Sequence, residues 1–166
     1  MDAGVYCLSL QLARPRWIAV GALGARRLPS GWYVYTGSAK RNLRARLARH
    51  LRREKRCHWH IDYLRAVASV ERVWVWPWAP GLECWKNALI QTLPGATVPW
   101  RGFGSSDCRC SSHLTAFATE PSVRPCGNGH RYVPVPTQRL DRDLTYRAKG
   151  RILSPIAAVR REKERP

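Results

Sequence analysis

Gly31-Trp32-Tyr33-Val34-Tyr35-Thr36-Gly37 runs through Ser38-Ala39-Lys40 into Leu43-Arg44-Ala45-Arg46-Leu47-Ala48-Arg49-His50, and within this one stretch the pattern changes from strand to helix. The first part is aromatic, β-branched or glycine, which predicts a strand that stops in a turn at Gly37. Leu43, Leu47 and Leu51 then recur at i, i+4 and i+8 with arginines between them. That spacing predicts an amphipathic helix with one narrow buried stripe and a basic remaining surface. Upstream, Val5 to Leu12 alternates loosely and Trp17 to Val20 forms a short run after Arg14-Pro15-Arg16, so both read as strands that pair antiparallel. Downstream, a second helix starts near Trp59 with Ile61, Leu64 and Ala68 as its apolar line. Val73-Trp74-Val75-Trp76 returns to strand character and Pro77 closes it. Pro80-Gly81 opens a third helix with Leu82, Trp85, Leu89 and Leu93 as its stripe, and Pro94-Gly95 ends it. Gly102 to Ser112 reads as a loop. Beyond Glu120, prolines at 121, 125, 134 and 136 and the mixed charges from Arg160 to Pro166 show no sustained period.

The 166-residue chain suffices for one ordinary domain with a core and a tail. Lys and Arg outnumber Asp and Glu by 29 to 11, a formal charge of +18. Self-repulsion of that size does nothing for folding, so a polyanionic partner is expected, with nucleic acid ahead of a membrane surface or an acidic protein. No stretch approaches the ~18 consecutive apolar residues of a spanning helix, and Met1-Asp2-Ala3 lacks a signal-peptide start. A cytoplasmic location is therefore expected. The six cysteines are expected to be thiols rather than a disulfide framework.

Gly4-Val5-Tyr6 and Tyr35-Thr36-Gly37 resemble the two halves of the GIY-YIG nuclease signature. The likeness continues in Ser38-Ala39-Lys40, in the arginine and histidine of Leu43 to His50, and in Glu83 at the start of the third helix. One branch of that superfamily, a domain of unknown function found alone or fused to endonuclease III-type repair enzymes, is resembled more closely still. Its hallmarks stand here as His58-Trp59-His60-Ile61-Asp62-Tyr63-Leu64, as Glu83-Cys84, and as Gly102-Phe103-Gly104-Ser105-Ser106-Asp107-Cys108-Arg109-Cys110-Ser111-Ser112-His113-Leu114. The resemblance implies an α/β domain of α+β type over residues 1–118, with a small, mainly antiparallel three-stranded sheet flanked by helices. Residues 119–166 are then a basic, proline-containing, loosely ordered tail. It also implies a metal-dependent DNA endonuclease acting in repair or processing, with Mg²⁺ or Mn²⁺ as cofactor and DNA and a DNA repair enzyme as partners. The alternative is a catalytically inactive DNA-binding module associated with a repair enzyme.

Phosphodiester hydrolysis needs an activated water, neutralised phosphoryl oxygens and help for the leaving oxygen. By residue type and family position, Glu83 holds the metal, because a lone carboxylate leaves a hard cation its waters and phosphate oxygens. Arg46 presents a planar guanidinium to the scissile phosphate. His50 lies one turn further along the same face. Tyr6 or Tyr35 relays a proton, with Tyr6 as the base and Arg46, Lys40 and the metal favouring its phenolate. Lys40 to Arg56 holds nine basic residues and one acid, Glu54. Within it Lys40, Arg41, Arg44, Arg49, Arg52 and Arg53 are assigned to DNA phosphates.

Plainer readings stand beside these. Gly4 and Gly37 also suit turns, Tyr6 and Tyr35 suit packed strand positions, and an acid such as Glu83 in a first helical turn suits the macrodipole. Of His58, His60 and Asp62, only His58 and Asp62 share a helix face, which favours a structural or DNA-contact role. Cys108, Cys110 and His113, completed by Cys84 or Cys126, have zinc-ligand chemistry but lack paired CxxC spacing, so no zinc ligand is assigned. Trp76, Trp78 and Trp100 could stack on an unpaired base.

Overall fold

Nine residues from Gly4 to Leu12 form β1, and its first seven are buried. That burial requires packing on both faces, which a central strand receives and an edge strand does not. In chain order the elements are β1, β2 (Arg16–Ala19), β3 (Ala25–Leu28), β4 (Gly31–Ala39), α1 (Leu43–Leu51), α2 (His60–Val67), β5 (Ser69–Pro77), α3 (Leu82–Gln91), β6 (Leu114–Phe117), β7 (His130–Tyr132), β8 (Tyr146–Ala148) and β9 (Arg151–Leu153). The computed structural model describes residues 2–122, 130–132, 146–148 and 151–153.

The main sheet is antiparallel throughout its pairings and has the order β6-β4-β1-β5-β7. This is an α+β fold, as expected, with five strands in place of three. The two extra strands, β6 and β7, are only four and three residues long, too short to leave an alternation in the sequence. The pairing within the first half also differs from expectation. β1 pairs with β4 and β5, whereas β2 pairs with β3 as a separate two-stranded sheet. β4 passes through Gly37 without turning and ends at Ala39.

Strand alternation sorts the core into two layers. Tyr6, Leu8, Leu10, Tyr33, Tyr35, Val73 and Val75 point to one face, where Leu43, Leu47 and Leu51 of α1 and Ile61 and Leu64 of α2 cover them. Cys7, Val34, Trp74 and Trp76 point to the other and meet Ile90 of α3 and Phe117 of β6. Each fully buried leucine contributes about 1.5–3 kcal/mol by leaving water. The α1 stripe is as expected, but that of α3 is rotated. Lys86, Asn87 and Ile90 are its buried residues, while Trp85 is 52% exposed. Lys86 reaches this face because its ammonium lies over the Trp76 ring, 4.3 Å from the centroid.

The expected loosely ordered tail, 119–166, lies largely outside the described residues. Within it, β7 extends the main sheet and β8 pairs with β9.

Candidate active site

β6 pairs with β4 only along Trp32–Tyr35, after which the Thr36 N–H donates to the His113 carbonyl at 3.0 Å. The outer edge of β4 from Gly37 onward is therefore not covered by β6, and groups from both faces of the sheet meet there. Ser38 is the meeting point. Its hydroxyl donates to Glu83 Oε2 of α3 at 2.5 Å, and its carbonyl accepts from Arg46 Nη1 of α1 at 3.0 Å. A cavity of about 300 Å³ opens here, lined by Tyr6, Tyr35, Ser38, Arg46, His60 and Glu83 among others. Two phenols, a guanidinium and a carboxylate from four separate elements thus face one hollow.

Gly37 decides where Tyr6 sits. The two residues are cross-strand partners, and a Cβ on Gly37 would lie 2.6 Å from the Tyr6 hydroxyl oxygen and 2.7 Å from Cζ. The glycine is thus required by a close approach, not by a turn. On the opposite wall Gly104 has φ 71, a left-handed conformation, and a Cβ there would lie 2.7 Å from the Tyr35 ring. Its N–H donates to His60 Nδ1 at 2.9 Å. A ring that accepts at Nδ1 carries its proton on Nε2.

Behind the cavity Tyr6 Oη lies 2.8 Å from His50 Nε2, and His50 Nδ1 lies 3.7 Å from Asp62 Oδ1. Asp62 is buried; its Oδ2 accepts from Arg49 at 2.8 Å and from the backbone N–H groups of His58 and Trp59 at 2.9 and 3.1 Å, and its Oδ1 pairs with the Lys55 ammonium at 2.9 Å. Burial opposes its charge, but His50, Lys55 and the two N–H groups outweigh that and hold the carboxyl far below the usual range. Burial also holds His50 below the ordinary histidine range despite Asp62, so the ring is neutral at neutral pH. With Nδ1 toward a carboxylate, the proton belongs on Nδ1 and Nε2 accepts from Tyr6. Burial, with Tyr35 and Glu83 beside it, pushes the Tyr6 phenol well above its usual range, more than Arg46 pulls it down. Burial raises Tyr35 too. The chain's own charges therefore do not make the phenolate that a tyrosine base alone requires.

Glu83 is held differently. Burial works against its charge, yet the bonds from His113 Nδ1, 3.0 Å from Oε1, and from Ser38 keep it below the usual carboxylate range. His113 in turn lies within reach of thiols, its Nε2 being 3.4 Å from Cys108 Sγ and 3.9 Å from Cys84 Sγ.

The basic segment is less free than its composition suggests. Lys40, Arg41, Arg52 and Arg53 are exposed and Arg44 is half-buried. Arg49 donates to Asp62 and to the Arg56 carbonyl, and Lys55 is buried against Asp62 and the Arg49 carbonyl. Those two are structural cations. Arg46 and Arg49 both stack on Trp59, 4.8 and 4.9 Å from its centroid. Trp76 and Trp100 are core residues and cannot take a base, whereas Trp78 is 37% exposed. From sequence Ser38 had only its place in a motif string, His60 and Asp62 only a structural or DNA-contact reading, and His113 only zinc-ligand chemistry. Their contacts with Glu83, Gly104 and His50 come from the fold.

Residues 5–130 match a family model described as a domain of unknown function, DUF123. The chain belongs to the DUF123 family. The match extends past residue 118 to the start of β7, and it includes every residue of the cavity. No curated protein and no solved structure matches the chain. Within this DUF123 domain no described helix is long and apolar enough to cross a membrane.

Proposed function

We propose that this DUF123 protein is a metal-dependent DNA endonuclease of GIY-YIG type that hydrolyses a phosphodiester bond in the cavity at the β4 edge. The observation that supports this best is the convergence of Tyr6, Arg46 and Glu83 on that cavity, with His50 behind Tyr6. A phosphate-sized anion has cationic and donor groups to meet there. Arg46 offers charged N–H groups, and His60 offers Nε2–H because its Nδ1 accepts from Gly104.

The proton path follows from the hydrogen bonds. As water attacks phosphorus, Tyr6 Oη takes a water proton and passes its own to His50 Nε2. Asp62 then faces an imidazolium 3.7 Å away, which its carboxylate stabilises. No free phenolate is needed, so the raised phenol does not block the step. Arg46 neutralises charge on the phosphoryl oxygens while the P–O bond to the leaving oxygen breaks.

Glu83 is suited to a hard cation. Each carboxylate oxygen already accepts one bond, from Ser38 or His113, and keeps a lone pair. Its side chain is 25% exposed, and the tyrosine hydroxyls of the cavity are further oxygen donors. Mg²⁺ or Mn²⁺ held there would supply charge neutralisation and an acidified water.

Labelled duplex, single-stranded and branched DNA incubated with Mg²⁺ or Mn²⁺ is the test. Cleavage should fall at least about 100-fold in Arg46→Ala and in Glu83→Ala, the scale of one lost electrostatic stabiliser. Salt-sensitive binding without nicking by the wild-type chain would replace this reading with a silent DNA-binding module.

A further inference from the structure

We propose that Cys84, Cys108, Cys110 and His113 bind one Zn²⁺ in a closed tetrahedral site that ties the Gly102–Ser112 loop to the first turn of α3. Three thiol sulfurs and the imidazole nitrogen lie within 4.8 Å of one another, although Cys84 is some two dozen residues from the rest in sequence. Tetrahedral zinc with Zn–S near 2.3 Å and Zn–N near 2.05 Å places sulfurs about 3.8 Å apart and sulfur and nitrogen about 3.5 Å apart. The Cys108–His113 and Cys84–His113 separations, 3.4 and 3.9 Å, bracket the second figure. Three thiolates with one imidazole select a borderline-soft ion, not Mg²⁺. This site is therefore distinct from the oxygen-lined cavity and does not depend on nuclease activity.

The surroundings complete it. With Nε2 on the metal, His113 carries its proton on Nδ1, and Nδ1 lies 3.0 Å from Glu83 Oε1. A carboxylate that accepts from the distal nitrogen of a zinc-bound histidine fixes its tautomer and orientation. His113 is buried and the three cysteines are half-buried, as a closed structural site requires. On binding, three S–H protons go to solvent, four donor–metal bonds form and no electron is transferred. The loop so fixed carries Gly104, Ser106 and Asp107, one wall of the cavity.

Elemental analysis of the full-length chain, purified under reducing conditions without chelator, should give one zinc per chain. Replacement by Co²⁺ should give intense thiolate-to-cobalt charge transfer and tetrahedral ligand-field bands. Cys84→Ser and Cys110→Ser should lose most of the zinc, while Cys57→Ser keeps it. A thiol reagent should release zinc from the unaltered chain in step with three modified thiols, a measurement that needs no foldable variant. Zinc-free protein that gives no cobalt charge transfer would overturn the proposal. So would zinc that survives in Cys84→Ser and Cys110→Ser but is lost in Cys126→Ser.

Discussion

Gly37→Ala is the smallest change that sets the sheet against the site. The added methyl would sit 2.6–2.9 Å from three atoms of the Tyr6 ring, Oη, Cζ and Cε2. Ordinary carbon contacts fall at about 3.5–4.0 Å, so the ring must withdraw by about 0.7–1 Å. It has little room, because His50 packs against it with ring centroids 5.5 Å apart and Tyr6 is 1% exposed. Overpacking of this kind costs about 1–3 kcal/mol. The 2.8 Å bond to His50 would also break, leaving a buried acceptor unsatisfied at a cost of about 1–3 kcal/mol. A total near 3 kcal/mol corresponds to a fall in Tm of roughly 6–12 °C for a chain of this size. Thermal unfolding followed by circular dichroism measures it, and a double-mutant cycle isolates the cause. In a Tyr6→Ala background the same Gly37→Ala change should cost at least about 1 kcal/mol less, because the clashing ring is gone. A Gly37→Ala protein that melts within a degree or two of wild type, or an equal penalty in both backgrounds, would refute the close-approach account of this glycine.

Asp62→Asn should destabilise the fold by about 3–5 kcal/mol in urea titrations at neutral pH, because Arg49 and Lys55 lose their buried counter-charge. The native carboxyl lies far below its unfolded value of about 3.9, so its contribution is fully present above that pH and disappears as pH falls toward the native pKa. The gap between wild type and Asp62→Asn should accordingly narrow in acid, and a gap that widens would reverse the sign of the argument. For DNA binding, about four neutralised phosphates, one each for the exposed Lys40, Arg41, Arg52 and Arg53, predict a slope of log affinity on log salt near −3.6. Arg52→Ala with Arg53→Ala should flatten it by about 1.8, and an unchanged slope would place the DNA elsewhere.

Local pattern was legible wherever a repeat ran long enough to be counted. The Leu43, Leu47, Leu51 stripe marked α1, and aromatic and β-branched runs marked β4 and the core of β5. Residue order also named the main cavity groups, Tyr6, Tyr35, Arg46 and Glu83, because they sit in motif strings. β6 and β7 left no pattern, and the stripe of α3 was misplaced because Lys86 is buried with its ammonium over the Trp76 ring while Trp85 stayed exposed.

Partnerships were a different matter. Composition presented Arg49 and Lys55 as surface charge, yet both are drawn to one buried carboxylate from the next helix. Residue type left Cys84 and Cys126 as equal candidates to complete Cys108, Cys110 and His113, since no ligand spacing links α3 to a loop two dozen residues away, and only the fold brings Cys84 within 4.8 Å of the others. The amino-acid order by itself determined the helices and the longer strands and which reactive groups exist, because period and residue type act over a few neighbours. Only the tertiary structure decided what touches what. β6 stops at Tyr35 and leaves the β4 edge open, and that long-range pairing brings the carboxylate, guanidinium and phenols together.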